Sequence, residues 1–214
     1  MNTIAPARRV GLFGGSFDPP HLAHRALADA ALGALALDEV RWIPAGAPWQ
    51  KLQAGQALAP AADRAAMLRL AIAGEPRFVL DDRELVRAGP SYTIDTLHEL
   101  SAAAPGTTWW LLLGQDQLAR LDTWHRWPEI VALAGLAVAA RDGIAPVVPA
   151  ALAAVPHRFA LVPLPPQPHS ATSVRQRTQA GADVTSLVGA PVARYIADHL
   201  LYRGAAARAE PTEP

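Results

Sequence analysis

The chain has 214 residues, no cysteine, and 19 basic residues balanced by 19 acidic ones. That length suits a single α/β domain able to bury about 70% of its unfolded surface without covalent staples, and the missing cysteines exclude disulfides and thiolate metal sites. Zero net charge without a basic run argues against phosphate-driven nucleic-acid binding, and no apolar run reaches the ~20 residues of a membrane-spanning helix. The first residues lack an apolar stretch of signal-peptide length, so the expected location is cytoplasmic.

In chain order, an apolar run predicts a strand over residues 8–13, ended by Gly14-Gly15. After the turn Asp18-Pro19-Pro20, an Ala/Leu-rich helix is predicted over 21–37, with His21 and His24 in its first turn. A strand over 39–44 follows, then a Gly/Pro/Gln-rich loop over 45–59. The helix predicted over 61–73 carries Met67, Leu68 and Ile72 at helical spacing. A short strand over 78–80 precedes a helix over 91–104, with Ser91 as its expected N-cap. The run Thr107 to Leu113 reads as a central strand, with Trp109 and Trp110 in the core. A short helix over 128–134, with Trp127 beside it as a further core residue, and strands over 136–140 and 159–164 complete the alternation. The proline-rich stretch 146–168 reads as a connection, and 204–214 as a disordered tail.

Strands alternating with helices imply βαβ units, and apolar strands without alternation imply a sheet covered on both faces. The predicted fold is α/β, a Rossmann-like doubly wound parallel sheet, forming one domain over residues 1–203. In such a sheet ligands bind beyond the carboxyl ends of the strands, where Gly14, Gly15, Gly46 and Gly114 all fall.

The segment Gly14-Gly15-Ser16-Phe17-Asp18-Pro19-Pro20-His21-Leu22-Ala23-His24 concentrates the chemistry. Glycines admit a phosphate close to backbone N–H groups, and a helix start adds partial positive charge there. Histidines three apart share a helix face and can reach one ligand. A metal would need a third or fourth ligand, and none is obviously placed nearby, so phosphate is the favoured partner. A second helix start, His169-Ser170-Ala171-Thr172-Ser173-Val174-Arg175, offers hydroxyls and a guanidinium in another anion-binding arrangement, although an ordinary hydroxyl N-cap has the same composition. Lys51 is the one lysine among the 19 basic residues, which marks it as a candidate point charge at a phosphate. Gly114 and Asp116 follow the strongest strand, and Trp124 offers a stacking face. No Walker loop, dinucleotide glycine fingerprint or Ser-His-Asp triad is present.

Together these residues resemble the bacterial nicotinate-nucleotide adenylyltransferases, members of the nucleotidyltransferase superfamily with a His-x-x-His motif. The likeness runs in order through residues 14–24, Pro48-Trp49-Gln50-Lys51, 91–97, 114–124, 170–175 and 192–202. Three positions depart from that pattern: Ala23 where glycine is usual, Gln50 where histidine is usual, and Ala171 in place of a second serine. The resemblance implies a nucleotidyltransferase fold with a C-terminal helical portion and adenylyl transfer from ATP to nicotinate mononucleotide, without a covalent enzyme intermediate. Nicotinamide mononucleotide, phosphopantetheine, or a nucleotide-binding regulator without turnover are the alternatives. His21, His24 and Arg175 are the implied catalytic residues, with Gly14, Gly15, Ser16, Phe17, Ser170, Thr172 and Ser173 at ATP. The implied mononucleotide side is Asp18, Lys51, Tyr92, Thr93, Gly114, Asp116, Trp124 and Arg141. Mg²⁺ is expected to travel with ATP rather than in a protein cage. No nucleic-acid or membrane partner is expected, and monomer and homo-oligomer stay equally open.

Overall fold

The apolar runs become the strands of one all-parallel sheet of six strands in the order β3-β2-β1-β4-β5-β6. The strands are β1 (Arg9–Gly15), β2 (Glu39–Pro44), β3 (Phe78–Leu80), β4 (Thr108–Leu113), β5 (Ala134–Arg141) and β6 (Phe159–Leu164). The helices are α1 (Leu22–Ala34), α2 (Ala61–Ile72), α3 (Arg83–Val86), α4 (Thr93–Ala103), α5 (Gln115–Leu118), α6 (Trp127–Leu133), α7 (Ala150–Ala153), α8 (Ala171–Gln179), α9 (Thr185–Val188) and α10 (Ala190–Asp198). The structure, a computed structural model, describes residues 7–48, 57–141, 146–165 and 169–203, with Arg141 described by its backbone alone. Trp49, Gln50 and Lys51 and the tail 204–214 lie outside the described residues.

Burial of β4 on both faces explains its unbroken apolar run. Trp109, Leu111 and Leu113 pack with Ile94, Leu97 and Leu100 of α4 and Ile130 and Val131 of α6. Trp110 and Leu112 point the other way, toward Leu27, Ala31 and Leu32 of α1 and Leu68 of α2. Each such side chain contributes about 1.5–3 kcal/mol over its exposed state. A third cluster docks the C-terminal helices onto α2, with Val174, Val184, Val188, Val192 and Ile196 gathered around Met67. Trp127 is only partly buried against the second cluster.

Several boundaries differ from the sequence reading. Helix α1 stops at Ala34, not residue 37. Ala36 takes a left-handed φ of 45°, with Leu37 N–H bonded to Leu32 O and Ala36 N–H to Gly33 O. This Schellman-type end turns Leu37 into the core ahead of β2. Ser91 does not cap α4: Tyr92 is the N-cap, and the Ser91 hydroxyl is drawn to backbone groups of the β2 exit. The stretch 146–168 is more than a connection, since it holds α7 as well as β6. The last helix ends at Asp198, short of the 192–202 reading.

Candidate active site

The strand order reverses between β1 and β4, and the site lies at their carboxyl ends, where such sheets open a crevice. A cavity of about 750 Å³ occupies this place. Its wall brings together Gly14, Gly15, Ser16, Phe17, Asp18, His21 and His24 from the first motif with His169, Ser170 and Ala171 from the second helix start. The same wall holds Tyr92, Thr93, Gly114, Asp116 and Trp124. Thr172, Ser173 and Arg175 are not on it among the described residues, Lys51 lies outside those residues, and the side chain of Arg141 is not described.

His21 is the N-cap of α1 rather than its first helical residue, in an extended conformation, and it forms a reciprocal capping box with His24. Their rings stack with centroids 3.6 Å apart and planes 21° from parallel. His24 Nδ1 accepts the backbone N–H of His21 at 3.1 Å. A neutral His24 therefore carries its proton on Nε2 and presents it as a donor. Phe17 stands edge-on to the His24 ring at 5.1 Å and is itself 2% exposed, so its side chain braces the histidine from below. Phe13 and Trp42 complete this aromatic bed, with Phe13 4.9 Å from Trp42. Gly14 differs in kind: a Cβ there would meet no atom of the described residues beyond its chain neighbours within 4 Å, and its φ is not in the left-handed region. Protein packing alone does not require glycine at that position. Ala23, where the family pattern has glycine, lines the cavity.

The second helix start spends its hydroxyls locally. Ser170 Oγ accepts Ser173 N–H at 3.1 Å, and Ser170 N–H bonds Ser173 Oγ at 3.2 Å, a capping box. Arg175 donates from Nη1 to the Asp18 carbonyl at 2.7 Å and from Nη2 to Thr172 Oγ1 at 3.2 Å. The arginine thus reaches from α8 to the first motif and grips its turn.

Asp18 is 1% exposed. Its Oδ1 accepts from the Tyr202 hydroxyl at 2.7 Å and from Ala59 N–H at 3.2 Å. Buried Arg64 passes beside it, donating to Ser16 O at 2.8 Å and Ala59 O at 3.1 Å. Burial lowers the Arg64 pKa, opposed by the Asp18 charge, and burial together with Asp18 raises that of Tyr202. Asp116 is exposed in the first turn of α5, close enough to Gly114 that a Cβ there would stand 2.7 Å from its carboxylate. Trp124 is half-buried, and the Tyr92 ring lies 4.5 Å from that of His125.

The wall also contains Glu84, Thr96 and His125, to which the sequence reading gave no role, and His169, which it named only as the start of the second segment. Glu84 and Thr96 sit in segments that look like a solvated charge run and an ordinary helix turn. His125 had a usable signal in its position beside Trp124. Among the described residues no group of three or more His, Cys, Asp or Glu side chains could hold a metal ion.

The comparisons with known proteins agree with this fold. The family model described as Cytidylyltransferase-like matches residues 12–177. A "Probable nicotinate-nucleotide adenylyltransferase" of Methylibium petroleiphilum is 50% identical over 202 residues, covering 92% of this chain and 94% of the relative. A protein of the same name from Bordetella petrii is 49% identical over 200 residues, covering 92% and 100%. Among solved structures, a Plasmodium falciparum nicotinic acid mononucleotide adenylyltransferase complexed with NaAD superposes with a TM-score of 0.76 at 18% identity, covering 91% of this chain and 97% of that one. At that identity the last likeness speaks for the fold, which is the Rossmann-like nucleotidyltransferase architecture expected from the sequence. By family model and by close relatives alike, the chain belongs to the cytidylyltransferase-like family and, within it, to the nicotinate-nucleotide adenylyltransferases.

Proposed function

We propose that this protein transfers the adenylyl group of ATP to nicotinate mononucleotide, as a single nucleotidyltransferase domain acting in the cytoplasm. A phosphate oxygen of the mononucleotide attacks the α-phosphorus of ATP. The bond from that phosphorus to the bridging oxygen breaks, pyrophosphate leaves, and deamido-NAD forms. No protein nucleophile is needed, because the second substrate brings its own.

The observation that carries this reading is that one cavity is lined by the stacked histidines, by a second helix start, and by the Tyr92/Thr93/Trp124 group. ATP phosphates are assigned to the Gly14–Ser16 turn, to His21 and His24, and to the α8 start at Ser170. His24 Nε2–H donates to oxygens on the α-phosphate, where charge builds up during transfer. Arg175 and Thr172, bonded to each other, hold the β/γ end and, through the Asp18 carbonyl, the turn itself. The mononucleotide is assigned to the opposite group, with Trp124 stacking on the pyridine ring and Asp116 accepting ribose hydroxyls. Lys51 and Arg141 are assigned to its phosphate by the family pattern. The chemistry is then positioning plus charge stabilisation.

Mg²⁺ is assigned to the triphosphate. Its coordination is assigned mainly to phosphate oxygens and water. When bound, it would offset charge on the departing pyrophosphate.

The test is pyrophosphate release from purified protein with ATP, Mg²⁺ and, in separate reactions, nicotinate mononucleotide, nicotinamide mononucleotide and phosphopantetheine. Turnover with nicotinate mononucleotide at the highest kcat/KM is expected. Preference for another acceptor reassigns the substrate, and release with none makes the protein a binding module.

A further inference from the structure

Glu84 of α3 is 8% exposed and lines the cavity, yet the proposed mechanism gives it nothing to do. Thr96 Oγ1 of α4 donates to Glu84 Oε1 at 2.6 Å, and the Ser91 hydroxyl stands near enough to favour the charged form of the same carboxyl. Thr96 Oγ1 already accepts from Arg87 Nη1 at 3.1 Å. Ser91 Oγ accepts the N–H groups of Gly46 and Ala47 at 3.0 and 3.1 Å. With both acceptor positions of Ser91 Oγ so occupied, its hydroxyl proton is available to Glu84, and the Thr96 proton is directed at Oε1. The fit is close: a Cβ on Gly46 would stand 2.1 Å from the Glu84 carbonyl oxygen. Ser91 N–H further bonds Ala47 O at 3.0 Å.

We infer that Glu84 is a positioning residue for the second substrate. Through Ser91 and Thr96, its carboxylate registers the exit of β2 against the start of α4 and so holds Tyr92 and Thr93 at the mononucleotide. The inference rests on the site assignment of the preceding section. It predicts an effect on mononucleotide affinity and little on chemistry, because Glu84 acts through its neighbours.

The charged groups around Glu84 are Arg87 and Asp81 from its own segment, with Glu99 of α4 held by Arg87 at 2.7 Å and Arg83 pairing with Asp81 at 2.8 Å. The β2 exit faces it with backbone. Burial raises the Glu84 pKa, while Thr96, Arg87 and Ser91 oppose the rise and Asp81 adds to it. Protonation thus sets in at higher pH than for an ordinary glutamate and removes the charge that Thr96, Arg87 and Ser91 hold. The grip is present when Glu84 is ionised and fails as pH falls.

The experiment is steady-state kinetics of the full chain and Glu84→Gln from neutral to mildly acidic pH, beside calorimetric titration of nicotinate mononucleotide into both. An amide nitrogen cannot accept and the amide carries no charge, so the grip of the hydroxyls and Arg87 weakens. The expected result is a roughly tenfold higher mononucleotide KM and Kd at neutral pH, with kcat and ATP KM within about threefold. Wild-type mononucleotide KM rises on the acid side, and Glu84→Gln lacks that rise. Ser91→Ala, which leaves the Glu84–Thr96 bond in place, produces the same affinity loss and decides the matter if Glu84→Gln does not fold. Unchanged affinity overturns the inference, as does an equal loss in kcat and in both KM values. If the wild type itself releases no pyrophosphate, the functional reading fails, and the calorimetric comparison still decides the role of Glu84.

Discussion

Tyr202 donates its phenolic hydrogen to Asp18 Oδ1 at 2.7 Å across 184 positions of sequence. The chain's last described turn thereby holds the turn that precedes α1. Arg175 takes the Asp18 carbonyl and Arg64 the Ser16 carbonyl, so the loop that leads into α1 is gripped from α2, from α8 and from beyond α10. The histidines at the start of α1 inherit their position from this grip.

Tyr202→Phe removes one hydrogen bond to a buried carboxylate that keeps, among the described residues, Ala59 N–H on that oxygen. The expected cost is about 1–3 kcal/mol, read by chemical denaturation. Its pH dependence has a definite sign. Burial first, and the Asp18 charge second, raise the Tyr202 pKa, so its contribution is whole below the unfolded value of about 10 and is lost as pH climbs through the folded one. The gap between wild type and Tyr202→Phe should therefore be constant near neutrality and narrow in strong alkali. A gap that widens there would contradict the buried donor.

His24→Asn separates the two jobs of that side chain. Its amide oxygen can take the place of Nδ1 and accept the His21 N–H, while the Nε2 donor disappears. Stability should stay within about 0.5 kcal/mol of wild type, and kcat should fall by about 10²-fold or more. Denaturation curves and single-turnover rates are the measurements. Unchanged turnover would remove His24 from the transfer step.

Much of this was legible in the sequence, for local reasons. Apolar runs such as Thr108–Leu113 can only be satisfied inside a covered sheet, and a glycine turn before paired histidines marks a phosphate-competent helix start without knowledge of the rest. What escaped the reading depends on distant partners. Ser91 looked like a cap because a hydroxyl precedes an apolar helix; its true partners, Gly46 and Ala47, lie 45 and 44 positions away. Glu84 looked solvated amid Asp81, Asp82, Arg83 and Arg87, because charge runs show no sign of which member packing will bury. Helices α3, α5, α7 and α9 span four residues each, too short for any periodicity to register.

Two glycines on the cavity wall or next to it should respond oppositely to a methyl group. Gly14→Ala meets no atom of the described residues beyond its chain neighbours within 4 Å, so the fold should be unaffected while ATP KM rises about tenfold. Gly46→Ala drives a Cβ to 2.1 Å from the Glu84 carbonyl, and should destabilise by about 1–3 kcal/mol or more. Thermal melts and ATP kinetics on both variants test the pair. A destabilised Gly14→Ala with normal ATP KM would make that glycine a structural one.

Trp124 must be distinguished from an ordinary core tryptophan, because it packs against the second apolar cluster as well as lining the cavity. Trp124→Ala loses packing and stacking together, so its stability loss alone decides nothing. Trp124→Phe retains an aromatic face and much of the buried area. If the ring stacks on the pyridine, Trp124→Ala should raise mononucleotide KM by about tenfold or more, Trp124→Phe should recover most of it, and ATP KM should hold steady in both. Equal shifts in the two KM values, tracking stability, would instead assign Trp124 to the core.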